Sequence, residues 1–256
     1  LVLTGIGFFS YKKHISASAF IMGNRSMNVW LTALAAHASD MSSWLFMAYP
    51  GSVFTHGYLA IWTAIGLIVC MYANWKWIAP KIRVATEQYN AFTFSSFFES
   101  RYADTSGRIR IFSSLVLMLF YTIYIAAQLT TLGENLEVLF NTHYITGILL
   151  GVCIITPYVF AGGYLTLARI DLFQGLFLLG VILFVPFHLL PKVGGFAAIK
   201  ESMNSYALPS LFPDYSPKSF LTILSLALGW GLGYFGQPHI VTKFMGIKKV
   251  KQIPTS

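Results

Sequence analysis

The sequence predicts an all-α, polytopic membrane protein, and three observations lead to this class. Hydrophobic residues form 56% of the chain and charged residues only 10%, whereas charged residues make up about 25% of a soluble domain. Apolar segments long enough to cross a bilayer recur along the sequence. If these segments alternate in direction, 14 of the 17 Lys and Arg residues fall on one face of the membrane, and the other face keeps only Lys192, Lys200 and Lys218.

This charge asymmetry predicts the orientation of the chain in the membrane. Short cytoplasmic loops carry an excess of Lys and Arg, so the basic face is expected to be cytoplasmic. The formal net charge of +8 is then a topology signal, and we expect no nucleic-acid partner. The chain is predicted to be a multi-pass protein of the cytoplasmic membrane that contacts the lipid bilayer.

Seven membrane spans are predicted in order. They cover residues 1–11 (incomplete), 29–49, 54–78, 109–132, 144–160, 172–190 and 220–240. Residues 92–102, between the third and fourth spans, have the pattern of a short amphipathic helix at the membrane interface. Residues 191–218 contain four prolines and several polar residues, which predicts a loop with about one helical turn.

The second span contains a polar block at residues 35–44, around which the rest of the prediction is organised. An ionisable group in the middle of a span costs roughly 2.5–3.5 kcal/mol on insertion scales and usually faces a bundle interior or an aqueous cavity. Asp40 lies here among three serines, whose hydroxyls compete for backbone hydrogen bonds. We expect the helix to open at this point and to present carbonyls and hydroxyls to a small cation. The alternative is serine-rich helix packing, with Asp40 bonded to a neighbour.

A second block, residues 229–239, interrupts the last span. Four glycines, Gln237 and Pro238 within eleven residues make a straight helix improbable. Unwound backbone inside a membrane is tolerated where protein or a water-filled cavity satisfies it. Trp230 and Tyr234 are four residues apart, so on a helix they would share a face and stack on a small substrate. The alternative is that the glycines permit close helix packing and the aromatic rings fill space.

The two interrupted spans are five spans apart, which is the pattern of an inverted-repeat transporter fold with five plus five helices. The chain then forms a single, incomplete transmembrane domain. We assign residues 1–28 to a partial first helix and cytoplasmic loop, 29–190 to the first five-helix repeat, 191–219 to an external loop, 220–240 to the first helix of the second repeat, and 241–256 to a cytoplasmic tail.

Five blocks of residues resemble the sodium/solute symporter family, and among its branches the sodium/proline symporters. The blocks occur in order over essentially the whole chain, at residues 24–26, 38–42, 120–124, 161–164 and 229–239. The resemblance implies sodium-coupled symport of L-proline, with Na⁺ as the coupling ion and no other cofactor. It implies a transporter and not an enzyme, and no paired catalytic groups, metal-spaced histidines or phosphate-binding glycine motif point to one.

Carried over position by position, the resemblance implies roles for individual residues. The backbone carbonyls of Ala38 and Met41 would bind Na⁺, and Asp40 would support sodium affinity. Ser42 would lie close to both the ion and the substrate. Roles in the proline site or its gating are implied for Ser42, Trp44, Tyr124, Trp230, Tyr234 and Pro238. For Tyr124, a buried tyrosine bonded to a carbonyl is an equally good reading of the sequence.

Departures from the family pattern keep alternatives open. The positions of Ala35, His37 and Ser43 usually carry Ser, Gly and Gly in this branch. Ser43 adopts positive φ less readily than Gly, so the unwinding is expected to be displaced. His37 titrates near neutral pH, which leaves room for proton coupling or for weaker sodium binding.

Other functions are compatible with the same residues. An aromatic pocket with hydroxyls also suits another small organic solute. A membrane remnant or sensor that has lost transport is a further alternative. In the family, the second repeat supplies Ser and Thr ligands to the sodium ion, so we expect residues 1–256 alone not to transport.

Overall fold

The structure is a computed structural model that describes residue 5 and residues 17–206, 210–212 and 214–255. The described residues are predominantly helical, which confirms the all-α prediction. The predicted partial span at residues 1–11 lies outside the described residues apart from Gly5. The α-helices are α1 (Ala17–Met22), α2 (Val29–Asp40), α3 (Tyr49–His56), α4 (Ile61–Ala73), α5 (Ala79–Gln88), α6 (Phe94–Arg101), α7 (Arg108–Phe140), α8 (Tyr144–Leu189), α9 (Gly195–Ser205), α10 (Pro217–Gly233) and α11 (Pro238–Met245).

Short turns of other helix types join several of these helices. Two π-helical turns, Trp44–Ala48 and Asn74–Ile78, lead directly into α3 and α5. Turns of 3₁₀ helix are found at Gly23–Arg25, Gly57–Ala60 and Val250–Thr255. Single π-helical turns often mark functional sites, and both of them here lie next to the site described below.

Within the described residues, three helical stretches are long and apolar enough to cross a membrane: Trp44–Gln88, Arg108–Phe140 and Gly163–Leu189. The bent pair α10 and α11 adds a fourth if it is counted as one span. Of the seven predicted spans, the first lies outside the described residues apart from Gly5, and several of the others are interrupted or shortened. Helix α2 ends after 12 residues, and α8 is divided at Gly163, whose φ of 60° and ψ of −174° are not helical.

The position of one predicted turn is wrong. Spans predicted at residues 29–49 and 54–78 require the chain to turn at residues 50–53, but α3 continues through them to His56. The turn occurs at Gly57, which has a φ of 60° and a ψ of −142°. Glycine tolerates this left-handed backbone region because it has no Cβ.

Side-chain caps fix where the helices begin. Asn28 starts α2, since its Oδ1 accepts a hydrogen bond of 2.8 Å from the Leu31 N–H. Thr93 and Ser96 form a reciprocal capping box at the start of α6. Helix α6 confirms the short helix predicted at residues 92–102.

The first turn of α7 is held by an aspartate that precedes it. Asp104 accepts hydrogen bonds from the Ser106 hydroxyl at 2.6 Å and from the Ile109 N–H at 2.7 Å. These bonds hold the pKa of Asp104 below its ordinary value, with the Ser106 hydroxyl as the largest cause. The carboxylate therefore satisfies donors at a helix start that have no partner within the helix.

Two segments predicted as irregular are folded. Helix α9 has 11 residues, where the sequence predicted a loop with about one turn. Residues 241–256, predicted as a tail, supply most of α11 and the 3₁₀ turn Val250–Thr255. Phe244 and Ile247 are fully buried, and Ile253 is 1% exposed. These side chains form a core with Ala79 and Tyr234, so apolar burial holds this segment against α5 and the break that follows α10.

Polar contacts fix the chain after α11. The Arg83 Nε of α5 donates to the Ile247 carbonyl at 2.8 Å, and the arginine is only 2% exposed. Met27 pairs with this segment through its backbone, because its N–H donates to the Gly246 carbonyl and its carbonyl accepts from the Lys248 N–H. The segment is thus tied to both the N-terminal region and α5.

Helices α4 and α10 touch through their backbones. A Cβ added at Gly66 would overlap the Ala227 carbonyl group, and one added at Gly231 would lie 2.7 Å from the Gly66 carbonyl oxygen and 2.8 Å from the Cys70 Sγ. Glycine permits this approach because it has no side chain, as at close helix contacts in membranes. The contact places the end of α10 beside α4.

Candidate functional site

The first break in the helical backbone follows Asp40, as predicted. The last regular hydrogen bond of α2 runs from the Met41 N–H to the His37 carbonyl, at 3.1 Å. Met41 is extended, with a φ of −71° and a ψ of 94°. Ser43 already has helical dihedrals (φ −52°, ψ −24°), so the break precedes it and needs no positive φ there.

The N–H groups after the break turn to other acceptors. The Ser43 N–H and hydroxyl both donate to the Gln128 Oε1 of α7, at 3.2 and 3.0 Å. The Trp44 N–H donates to the Ser42 hydroxyl at 3.2 Å. The Leu45 N–H donates to the Ser42 carbonyl at 3.1 Å, three residues back. Gln128 is therefore the side chain from outside the break that holds it open.

These bonds release carbonyl oxygens at the end of α2. In a continuous helix, the N–H groups of residues 43, 44 and 45 would donate to the carbonyls of Ser39, Asp40 and Met41. The Ala38 carbonyl also lies beyond the last regular bond. The end of α2 thus offers a run of carbonyl oxygens, next to the Asp40 carboxylate, with the partial negative charge of a helix C-terminus.

The second break separates α10 from α11 and bends the chain by 47°. Helix α10 ends at Gly233 and α11 begins at Pro238, which has no N–H to donate. The Asn74 Nδ2, in the π-helical turn before α5, donates to the Tyr234 carbonyl at 3.0 Å. Asn74 is fully buried, and it satisfies a carbonyl that the break leaves without a helical donor.

One cavity of about 620 Å³ lies between the two breaks. Five predicted site residues line it: Asp40 and Ser42 from the first break, Tyr124 from α7, and Trp230 and Pro238 from the second break. The Tyr124 hydroxyl lies close to the Ser42 side chain. The structure therefore brings the two polar blocks of the sequence to one place.

A smaller cavity of about 260 Å³ adjoins the first. Met41 and Trp44 line it, and Asp40 and Trp230 line both cavities. The rings of Trp44 and Trp230 stack with their centroids 4.2 Å apart and their planes at 13°. This aromatic pair therefore forms part of the wall beside Asp40.

Two predicted residues have side chains outside the linings of both cavities. Ala38 lies opposite Gly175 of α8, where an added Cβ would be 3.4 Å from the Ala38 Cβ. Tyr234 is 1% exposed and belongs to the core with Phe244. The shared face of Trp230 and Tyr234 stays a prediction: Tyr234 follows Gly233, the last residue of α10, with helical dihedrals (φ −59°, ψ −29°), and of the two side chains Trp230 lines the cavities.

Sequence reasoning missed several residues at the site. Tyr121 and His239 line the larger cavity, and the Tyr121 hydroxyl and the His239 Nδ1 are 3.1 Å apart. The ring of His239 also stacks on Tyr124, at 5.9 Å. Both residues lie inside the blocks that carry the family resemblance. Gln128 lies four residues after Tyr124, on the same face of α7, which is the signal that would have found it.

An ion pair lies beside the first break. The Lys243 Nζ of α11 is 2.5 Å from the Asp171 Oδ2 of α8, and the side chains are 9% and 19% exposed. The same oxygen accepts from the Ser39 hydroxyl at 3.4 Å. The Lys243 ammonium also lies over the Tyr164 ring, 5.5 Å from its centroid. Asp171 therefore links α2, α8 and α11.

These features define a class: a helical membrane protein in which two broken helices meet at one polar cavity, as in secondary transporters. The chain belongs to the sodium:solute symporter family, whose family model matches residues 20–256. This match confirms the resemblance found in the sequence.

Two relatives illustrate the similarity. The high-affinity proline transporter PutP of Bacillus subtilis (strain 168) is 35% identical over 249 residues, which are 97% of this chain and 52% of that protein. The sodium/proline symporter of Staphylococcus aureus (strain JH9) is 38% identical over 256 residues, which are 99% of this chain and 49% of that protein. The chain spans about half the length of the curated relatives it matches.

Proposed function

We propose that this chain carries the sodium and L-proline sites of a sodium-coupled proline symporter of the cytoplasmic membrane. The observation that carries the proposal is the shared cavity, where Asp40 and Ser42 of the first break meet residues of the second break. The family and the names of the two relatives support the same ion and substrate.

The proposed sodium site is the end of α2. The carbonyls of Ala38 and Met41 bind the ion, since both lie beyond the last regular hydrogen bond of the helix. The Asp40 carboxylate supplies the compensating charge and the Ser42 hydroxyl a further oxygen. Unwound carbonyls and helix C-termini are suited to Na⁺ because they offer hard oxygen ligands and partial negative charge.

The proposed proline site is the 620 Å³ cavity. Tyr124, Trp230 and Pro238 provide apolar surface for the pyrrolidine ring, and Ser42 contacts both ligands. Trp44 acts on the site through its stacking with Trp230. Tyr234 acts from the core, as a gating residue on the hinge between α10 and α11. Because ion and substrate share the first break, each raises the affinity of the other if both favour one conformation.

A chimera tests this proposal. The full chain replaces the matching first half of the S. aureus symporter, in cells without proline uptake of their own. We expect uptake of labelled proline that rises with the sodium gradient. Asp40→Asn should raise the sodium concentration needed for half-maximal uptake by tenfold or more, since a polar contact with a charged group is worth roughly 1.5–3 kcal/mol.

Controls keep the outcome interpretable. Glu201→Gln removes an exposed carboxylate on α9 and should leave uptake unchanged. Immunoblots of the membrane fraction show whether each variant is inserted at a comparable level. Uptake that is independent of sodium and stops when the proton gradient is dissipated would contradict the sodium assignment. An inserted chimera that takes up another solute but not proline would contradict the substrate.

A further inference from the structure

We infer that Gln237 and Trp230 recognise the two charged groups of the substrate. The Gln237 Oε1 accepts a hydrogen bond from the substrate ammonium, and the Trp230 Nε1 donates one to the substrate carboxylate. This inference rests on the proposed function and adds Gln237 to it as the residue that binds the substrate ammonium.

Both atoms are buried without a partner. The Gln237 Oε1 and the Trp230 Nε1 are shielded from solvent, and neither has a hydrogen-bond partner among the described residues. Both side chains line the 620 Å³ cavity. A buried polar atom without a partner destabilises the fold, and a bound ligand that supplies the missing groups removes that penalty.

The local backbone explains why Gln237 is available. It is the residue before α11, the N-cap position, where a short polar side chain commonly accepts a hydrogen bond from the helix. Its side chain makes no such hydrogen bond. Pro238 follows at the first helical position and has no N–H. The Gln237 Oε1 therefore lies at the second break with no hydrogen-bond partner among the described residues.

Trp230 is held in a fixed orientation. Its ring stacks on Trp44 with centroids 4.2 Å apart and planes at 13°. The direction of its N–H is thus set before a ligand arrives, which lowers the entropy lost on binding. The donor and the acceptor belong to opposite sides of the second break, because Trp230 is in α10 and Gln237 precedes α11.

The pair defines the chemistry of the ligand. An indole N–H only donates, and an amide oxygen only accepts. A ligand that satisfies both must bring an acceptor and a donor, as the carboxylate and ammonium of an amino acid do. Leu117, Phe120 and Ile123 line the same cavity and suit the apolar ring of proline.

Substrate analogues test the assignment in the chimera described above. Tetrahydrofuran-2-carboxylate has a ring oxygen where proline has its ammonium, and pyrrolidine lacks the carboxylate. Each is measured as a competitor of labelled proline binding, in the parent chimera, in Gln237→Met and in Trp230→Phe. Ratios of affinities within one variant do not depend on its abundance or overall stability.

We expect each substitution to erase one preference. Gln237→Met should reduce the preference for proline over tetrahydrofuran-2-carboxylate by roughly 10- to 100-fold, the range of a hydrogen bond to a charged group, and leave the preference over pyrrolidine unchanged. Trp230→Phe should reduce the preference for proline over pyrrolidine and leave the preference over tetrahydrofuran-2-carboxylate unchanged. Gln88→Met and Trp77→Phe are the matched controls, since both side chains are exposed, and should change neither preference.

The other outcomes overturn the inference separately from the proposed function. Equal loss of affinity for all three ligands would show that Gln237 has only a structural role. A Gln237→Met effect on the pyrrolidine ratio would show that the amide donates to the carboxylate, with the opposite orientation. If the inserted parent chimera fails to bind proline at all, the proposed function fails before this inference is reached. Gln237→Asn, which keeps the amide, provides a second variant if Gln237→Met is poorly inserted.

Discussion

The ion pair between Lys243 and Asp171 gives the sharpest prediction about stability. It connects α11 to α8, and the Ser39 hydroxyl extends it to the end of α2. The perturbations are Asp171→Asn and Lys243→Met, singly and together. Each single change leaves one charge without its partner in a largely buried position.

The magnitude follows from burial. Removing one partner of a buried ion pair costs about 3–5 kcal/mol, mainly because the remaining charge stays desolvated. The side chains of Lys243 and Asp171 are 9% and 19% exposed, so we expect the lower end, about 3 kcal/mol. Replacing both partners by neutral residues is often close to neutral. The double variant should therefore recover most of the loss.

Thermal unfolding in detergent measures these differences. Cys70 is 7% exposed and Cys153 is exposed, so in a Cys153→Ser background a thiol-reactive dye reports when Cys70 becomes accessible. A loss of about 3 kcal/mol corresponds to a fall in Tm of roughly 6–12 °C for a chain of this size.

A longer and more exposed ion pair provides the control. Glu99 and Arg110 are 3.6 Å apart, with side chains 25% and 62% exposed. Exposed pairs contribute about 0–1 kcal/mol, so Glu99→Gln should change Tm by little. The reasoning is refuted if Asp171→Asn costs no more than Glu99→Gln, or if the double variant is less stable than either single variant.

Three further predictions concern helix packing, helix capping and the first break. Gly66→Leu places a side chain into the backbone of α10 and should cost at least about 2 kcal/mol in unfolding measurements. Gly180→Ala, inside α8 with nothing within 4 Å of its added Cβ, should not destabilise the protein; equal losses would contradict the packing. The Ser106 hydroxyl lowers the pKa of Asp104, so the stability that the ionised carboxylate contributes is complete above pH 3.8 and is lost as the pH falls below that value. Asp104→Ala should lower Tm at pH 6 and remove this acid dependence, and an unchanged pH profile of Tm would refute the cap. Gln128→Leu removes the acceptor that holds the first break open and should weaken sodium binding by the chimera about tenfold; unchanged sodium dependence would show that the break needs no such support.

Much of the site was predictable because its causes are local. Asp40 among serines indicates an opened helix, since these side chains compete with backbone hydrogen bonds. Pro238 preceded by glycines indicates the second break for an equally local reason. The structure has both breaks and one cavity between them.

What the sequence did not reveal depends on partners far along the chain. Asn74 bonds to the Tyr234 carbonyl across 160 positions, and no local pattern indicates such a contact. Tyr234 is in the core because it packs with Phe244 and Ile247, which follow the second break. Ile247 and Ile253 lie among lysines, so the segment resembled a solvated tail, although α5 and α11 bury both side chains. Helix α9 was missed because flanking prolines outweighed its amphipathic spacing.

The backbone contact at Gly66 and Gly231 has a mechanical consequence. With no side chains between them, α4 and α10 meet backbone to backbone, so a displacement of α10 must carry α4 with it or break this contact. The 47° bend follows directly after the contact, with α10 held by α4 on one side of it and α11 held by α5 and α8 on the other. A bulky side chain at either glycine would separate α4 from α10.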